Sequence, residues 1–411
     1  MRRMNGNRNL VVGLTFGALL VALGAAQFAL ERTASAQAKN AVMAPRFEVD
    51  PMWPKPLPNH WIYGNVIGVS VDSRDHVFII HRTDILPQGN IDRKEAYAAL
   101  TPPASECCYP APPVVEFDPD GNLVKAWGGP GDGYDWPTSN HGITVDSKGI
   151  IYIGGNGAND GHILKFTRDG KFIAQFGFPY ANAGSNDLWA FNKVAKVFVD
   201  EPNNEAYVAD GYTNKRVAVI DTETGKIKRY WGAYGNKPDD TNMGRYNPDA
   251  PLDQQFRNPV HCADLSKDGF VYVCDRPNDR LQVFTKDGKF VKETIIKKQT
   301  LGDGSVWDIA FSKDPEQKYI FMADGTNEKV YVYDRQSLTD PKKEGEMLTS
   351  FGDGGRQPGE FYAVHSIAID SKGNLYTTET YEGKRLQKFV YKGMSPVTKT
   401  DQGVVWPRKT Q

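Results

Sequence analysis

HGITVDSKGIIYIGG (141–155), HCADLSKDGFVYVCDR (261–276) and HSIAIDSKGNLYTTE (365–379) are three copies of one pattern. Each opens on a histidine, runs through an apolar alternating stretch, turns at a polar segment such as SKDG or SKGN, and returns in a second alternating stretch. Period-two alternation on both sides of a Gly-containing polar turn is the signature of a β-hairpin. Three more copies lie among them: GVSVDSRDHVFIIHR (68–82), AKVFVDEPNNEAYVADG (195–211) and DIAFSKDPEQKYIFMADG (308–325). Most copies continue into a third alternating run, such as RVAVID, RLQVF or KVYVYD. A fourth often follows a DG or TG turn, as in FTRDG-KFIAQFG. Several fourth runs end in an aromatic-Gly pair: Trp127-Gly128, Phe176-Gly177, Trp231-Gly232 and Phe351-Gly352. Four short strands per copy, in six copies, predict an all-β fold, a six-bladed β-propeller. Solenoids have tighter and more uniform periods, and a sandwich gives no reason for six copies.

The composition agrees. A chain of 411 residues, 40% hydrophobic, with 40 Gly and 26 Pro, can bury a large core. Length alone suggests about two or three domains, but blades stack into one ring. The formal net charge is −1, and Lys and Arg are dispersed without a basic stripe. That argues against a nucleic-acid partner.

The N-terminus reads as an export signal. Arg2, Arg3 and Arg8 precede an apolar run from Leu10 to Ala26, short for a membrane span, and Ala34-Ser35-Ala36 supplies a small-residue cleavage site. The expected organisation is a signal peptide over 1–36, a Pro-rich segment over 37–66 that contributes a ring-closing strand, the propeller over 67–392 and a polar extension over 393–411. A periplasmic or secreted protein follows, with no stable membrane insertion once the signal is removed; the alternative is an uncleaved N-terminal anchor. Four cysteines fit an oxidising compartment. Cys262 and Cys274 flank the turn at 266–269 symmetrically and are expected to form a cross-strand disulfide. Cys107 and Cys108 are adjacent, and their state is left open. They lie in a Pro-rich insertion (84–113) that also holds DRKEAYAAL (92–100), which resembles a short helix. Further insertions at 178–193 and 233–258 have the length of functional rims.

The histidines share a register. His141, His261 and His365 each stand five residues before the turn residue of their copy (Asp146, Ser266 and Asp370). The alternating copies carry Ile67, Ala195 and Trp307 at that place. In a ring, blades 2, 4 and 6 would each aim one imidazole at a shared axis, and three converging imidazoles make a metal site. His60, His76 and His162 have no such register and are expected to be structural, as is His81, which strand alternation turns the opposite way from Arg82. The DG turns at Asp120-Gly121, Asp169-Gly170 and Asp287-Gly288 read as hairpin turns rather than calcium loops.

With these residues in place, the chain resembles the catalytic domain of peptidyl-α-hydroxyglycine α-amidating lyase, a six-bladed propeller of NHL-type repeats. The resemblance covers about residues 60–390. It implies that His141, His261 and His365 hold a zinc ion. Tyr212 in VADGYTNKR matches the family's D-G-Y tyrosine. Arg82 in IIHRTD and Arg276 in VCDRPNDR match its two arginines. The family also carries a structural calcium ion, held in part by an Asp after the third His; Ser366 stands there in this chain, so that ligand is missing. Thr213 replaces a family cysteine, so the disulfide pattern differs. No monooxygenase segment precedes the propeller, so the natural substrate is expected to differ.

The implied chemistry suits the residue types. Such a lyase breaks the N–C bond of a carbinolamide, releasing an amide and glyoxylate. The hydroxyl must lose a proton, the amide nitrogen must gain one, and a carboxylate must be held. Arg82 and Arg276 suit bidentate carboxylate binding. Tyr212, beside a metal and two guanidiniums, is the candidate general base, its phenolate favoured by nearby positive charge. The expected partner is a small-molecule or peptide-derived substrate with a carboxylate. Two other function classes are compatible with the fold: a metal-assisted hydrolase of lactonase or esterase type, and a non-catalytic NHL-propeller binding protein.

Overall fold

Every copy of the repeat becomes a four-stranded antiparallel sheet. The computed structural model describes residues 4–39, 41–83, 96–180 and 184–407. Blade 1 is built from Val66–Val71, Val77–His81, Val114–Phe117 and Leu123–Trp127, and blade 2 from Asn140–Val145, Ile151–Gly155, His162–Phe166 and Phe172–Gly177. Blade 3 comprises Val194–Asp200, Glu205–Asp210, Arg216–Asp221 and Ile227–Trp231; blade 4, Val260–Leu265, Phe270–Asp275, Arg280–Thr285 and Phe290–Ile295. Blade 5 comprises Asp308–Phe311, Tyr319–Asp324, Lys329–Asp334 and Met347–Phe351. Blade 6 takes Val364–Ile369, Leu375–Glu379 and Arg385–Pro396 from the end of the chain and its outermost strand, Met43–Asp50, from the start. That strand pairs Met43 with Pro396 and Asp50 with Lys388. The first strands of successive blades neighbour one another, and the sixth neighbours the first, so the ring is closed.

Alternation within each strand decides the packing. In blade 1, Val77 and Ile79 join a core shared with Tyr376 and Leu386 of blade 6, while Phe78 and Ile80 join one shared with Ile151 and Ile153 of blade 2. The same division recurs at every boundary, giving six cores between six blades. The aromatic-Gly pairs acquire a reason here. The Trp127 ring of blade 2's neighbour lies where a Cβ on Gly170 would come within 2.7 Å, and Trp231 stands in the same relation to Gly288 of blade 4. Both glycines also have positive φ, +82° and +85°, so close approach and turn geometry each require Gly. The DG turns are hairpin turns, as expected.

Cys262 and Cys274 face each other in the register of blade 4 and form a disulfide, fully buried between blades 4 and 5. Cys107 and Cys108 form a second one. The helix expected over 92–100 lies partly outside the described residues; its described end holds a single 3-10 turn, Tyr97–Ala99. The final strand runs past Lys392 to Pro396, and the tail beyond it packs on the ring: Gly352 N donates to Gly403 O and Val49 N to Val405 O, both at 2.9 Å. At the other end, a helix spans Met4–Lys39. Its apolar part extends four residues beyond Ala26, to Leu30, and these 21 residues are long enough to cross a membrane, unlike the shorter run read from the sequence. A signal peptide and an anchor both fit such a helix.

Candidate metal centre and its rim

His141, His261 and His365 stand at the start of the innermost strands of blades 2, 4 and 6, and each is almost fully buried. One ligand atom from each lies within 4.8 Å of the others, and the ring centroids are 4.8 to 5.1 Å apart. What holds them is the other half of the alternation. Nδ1–H of His141 donates to the carbonyl of Ala195 at 2.8 Å, and Nδ1–H of His261 donates to the carbonyl of Trp307. His365 reaches the third such residue through a relay: its Nδ1–H donates to Ser366 Oγ at 3.3 Å, and that hydroxyl donates to the carbonyl of Ile67 at 3.1 Å. A carbonyl can only accept, and the Ser366 hydroxyl gives its own proton to one, so the proton of each imidazole sits on Nδ1 and each Nε2 carries a lone pair. Burial keeps the rings neutral: it is the main cause lowering His141 to about 3, and it holds His261 and His365 well below their usual value. Three neutral nitrogen donors, each oriented by an outer hydrogen bond, suit a first-row divalent ion.

The rim comes from the connections between second and third strands. Blade 3 contributes Tyr212, whose hydroxyl lies 2.8 Å from Nε2 of His141 and 3.1 Å from Nε2 of His261. Blade 1 contributes Arg82, whose Nε donates to Asn140 O at 3.2 Å and whose Nη2 donates to Asn156 Oδ1 at 2.9 Å. Blade 4 contributes Arg276. Its guanidinium stacks on Trp307 at 4.3 Å, lies 5.9 Å from the Tyr212 ring, and donates to Asp303 Oδ1 at 3.4 Å. Blade 6 contributes Tyr381, which donates to the other Asp303 oxygen at 3.1 Å. All six predicted residues therefore converge. Asn156, Tyr381 and Asp303 were not singled out from sequence, and Trp307 was read there only as the axial residue of its copy. The first two occupy the same inter-strand connection as Tyr212, which is the signal that would have found them. The Arg276 side chain pairs with neither Asp275 nor Asp279. Asp275 is taken by Arg280, just as Asp210 is taken by Arg216, in fully buried pairs that pack the blades.

The electrostatics differ from the expectation in one respect. Arg276 and Arg82 do favour the Tyr212 phenolate, but burial is the larger influence and holds the phenol above its ordinary value among the protein's own groups. His81 is structural, as its strand direction predicts: Nδ1 accepts from Gly64 N at 3.2 Å and Nε2–H donates to Pro112 O at 3.0 Å.

The donors for a calcium ion do not fit. Ser366 Oγ is engaged by His365 and Ile67. The acidic side chains of the inner strands are instead bridged by the chain itself: Lys196 of blade 3 donates to Asp264 of blade 4 at 2.8 Å and to Asp308 of blade 5 at 2.6 Å. Ile367 N of blade 6 donates to the second Asp308 oxygen at 3.1 Å. An ammonium group already sits between the carboxylates.

No family model matches the chain. Over 324 residues it is 26% identical to peptidyl-glycine alpha-amidating monooxygenase B of Xenopus laevis, covering 77% of this chain and 33% of that protein. The chain resembles the amidating monooxygenases. It spans about a third of their length. It is also 25% identical, over 290 residues, to NHL repeat-containing protein 3 of Mus musculus, covering 68% of this chain and 65% of that one. Among solved structures, a catalytically inactive virginiamycin B lyase from Staphylococcus aureus with quinupristin aligns over 85% of this chain and 89% of its own, at 14% identity and a TM-score of 0.43.

Proposed function

We propose that the chain is an exported zinc-dependent lyase that cleaves the N–C bond of a carbinolamide of the α-hydroxyglycine type, yielding an amide and glyoxylate. The observation that carries this reading is the meeting of three Nε2 donors with a phenol and two guanidiniums, in a chain similar to the amidating monooxygenases. His141, His261 and His365 would hold the zinc, which supplies a Lewis acid when bound. Arg276 and Arg82, which both act on the phenol, would grip the substrate carboxylate, which fixes the carbinol carbon near Tyr212. Tyr212, as its phenolate, takes the hydroxyl proton. The oxygen electrons form the new C=O, the N–C pair goes to nitrogen, and the phenol returns the proton to the amide nitrogen. Stacking on Trp307 and pairing with Asp303 keep Arg276 in place for this.

Export is supported by the apolar N-terminal helix and by two disulfides. Under this reading residues 1–36 are a signal peptide, and N-terminal sequencing of the exported protein would find Gln37 first. The activity is tested with the zinc-loaded protein and N-benzoyl-α-hydroxyglycine. Equal amounts of benzamide and glyoxylate are expected; no release above the uncatalysed rate would overturn the assignment.

A further inference from the structure

Beside Arg276 and Asp303 opens a cavity of about 800 Å³, walled by the insertion between blades 3 and 4 and by the connection between blades 4 and 5. Its lining carries four cationic side chains, Lys215, Arg245, Arg257 and Arg276, against two carboxylates, Asp240 and Asp303. The carboxylates are already engaged. Asp240 accepts from Ser185 N at 2.9 Å and from the Ser185 hydroxyl, and Asp303 accepts from Arg276 and Tyr381. Arg257 is engaged as well, by Asn278 and Asp253.

Two cations make no contact with a carboxylate. Lys215 is 3% exposed, and its ammonium donates to the carbonyl of Thr241. Among the described residues no carboxylate lies within ion-pair distance of it. Asp240 and Asp239 act on it only from farther away, and burial disfavours its charge. Arg245 is exposed and has no hydrogen bond or ion pair among the described residues. A buried ammonium whose direct partner is a carbonyl, and a guanidinium without an ion pair, give the cavity two cationic groups that no carboxylate contacts. At its inner end, the buried Nε of Arg276 has no hydrogen-bond partner, a donor left for something outside the protein.

We propose that this cavity receives the acyl side of the substrate and that Lys215 and Arg245 select a second anionic group there. The preferred substrate is then an N-acyl-α-hydroxyglycine whose acyl portion carries its own carboxylate. This rests on the lyase reading for the first carboxylate, at Arg82 and Arg276; the second is assigned by the cavity alone.

The test compares kcat/KM for N-glutaryl-α-hydroxyglycine and N-benzoyl-α-hydroxyglycine, alongside calorimetric binding of N-glutarylglycine, which lacks the hydroxyl and does not react. Wild-type protein is expected to favour the glutaryl substrate by about tenfold or more at low salt. Arg245→Gln and Lys215→Met should each bring that ratio toward one and weaken N-glutarylglycine binding. Equal use of both substrates, or a ratio unmoved by Arg245→Gln, overturns the proposal and leaves the lyase reading intact. Turnover of neither substrate removes the lyase reading. N-glutarylglycine binding that Arg245→Gln weakens would still support the anion site in that case, and absence of binding would overturn it.

Discussion

The hydroxyl of Tyr212 lies 2.8 Å from Nε2 of His141, so the proposed base touches a proposed metal ligand directly. Its phenol is raised by burial and lowered by Arg276 and Arg82. A group balanced in this way is sensitive to a further positive charge at the histidines. Tyr212→Phe removes the proton acceptor and leaves the three nitrogen donors. It should retain about one zinc per chain and lose about 10²- to 10⁴-fold in kcat. Metal analysis with steady-state glyoxylate release checks both halves, and unchanged kcat would remove Tyr212 from proton transfer.

The histidines are expected to divide by depth of effect. His261→Ala deletes a donor and should abolish stoichiometric zinc and activity together. Ser366→Ala keeps all three donors but breaks the relay from His365 to Ile67. Loss of such an outer partner weakens metal affinity by about 10- to 100-fold. Competition against a chromophoric chelator measures it; wild-type affinity in Ser366→Ala would mean the relay does not orient His365.

Lys196→Met leaves Asp264 and Asp308 facing each other without their cation. Burial already holds the Asp264 carboxyl above its ordinary value with the ammonium present. Breaking a buried ion network from one side costs about 3–5 kcal/mol. Urea unfolding should show that loss, and the Lys196→Met/Asp264→Asn/Asp308→Asn variant should recover part of it. Wild-type stability in Lys196→Met would show that the triad does not brace the ring.

His81 predicts a pH dependence. Burial lowers its folded-state value to about 4, from an ordinary 6.5. Between those values the unfolded chain binds a proton that the folded chain does not, so its contribution is fully present above about 6.5 and is lost as pH falls toward 4. The limit is about 3 kcal/mol. The axial histidines act in the same direction, so the informative quantity is the difference between wild type and His81→Gln. Urea midpoints at pH 7.5, 6 and 4.5 should fall less steeply in the variant; parallel curves would contradict the assignment.

The ring and its three axial histidines were legible because one repeat fixes both. Strand alternation and a constant offset from the turn leave His141, His261 and His365 nowhere else to point. Tyr381 and Asn156 share the connection that carries Tyr212 and Arg82, yet connections of unequal length hide a common register. Asp303 lies between blades, where no repeat sets position. Lys196 and Asp308 each follow an axial residue, Ala195 and Trp307, but their pairing reaches from blade 3 to blade 5 across the ring and depends on its curvature. The raised Tyr212 phenol was missed for a different reason: sequence reveals the charges around a group more readily than the water it has lost.

Met43–Asp50 completes a sheet whose other three strands lie more than 300 residues later in the chain. Such a pairing closes one of the longest loops the fold offers, and contacts of that span form late. An exported chain would therefore hold its first strand in reserve while five blades assemble, and the sixth would be sealed only after its own strands arrive. Until then an open sheet edge is exposed to other chains. Shortening the chain by a few residues just after the apolar helix should do more harm to the last step of assembly than the same loss in any surface loop.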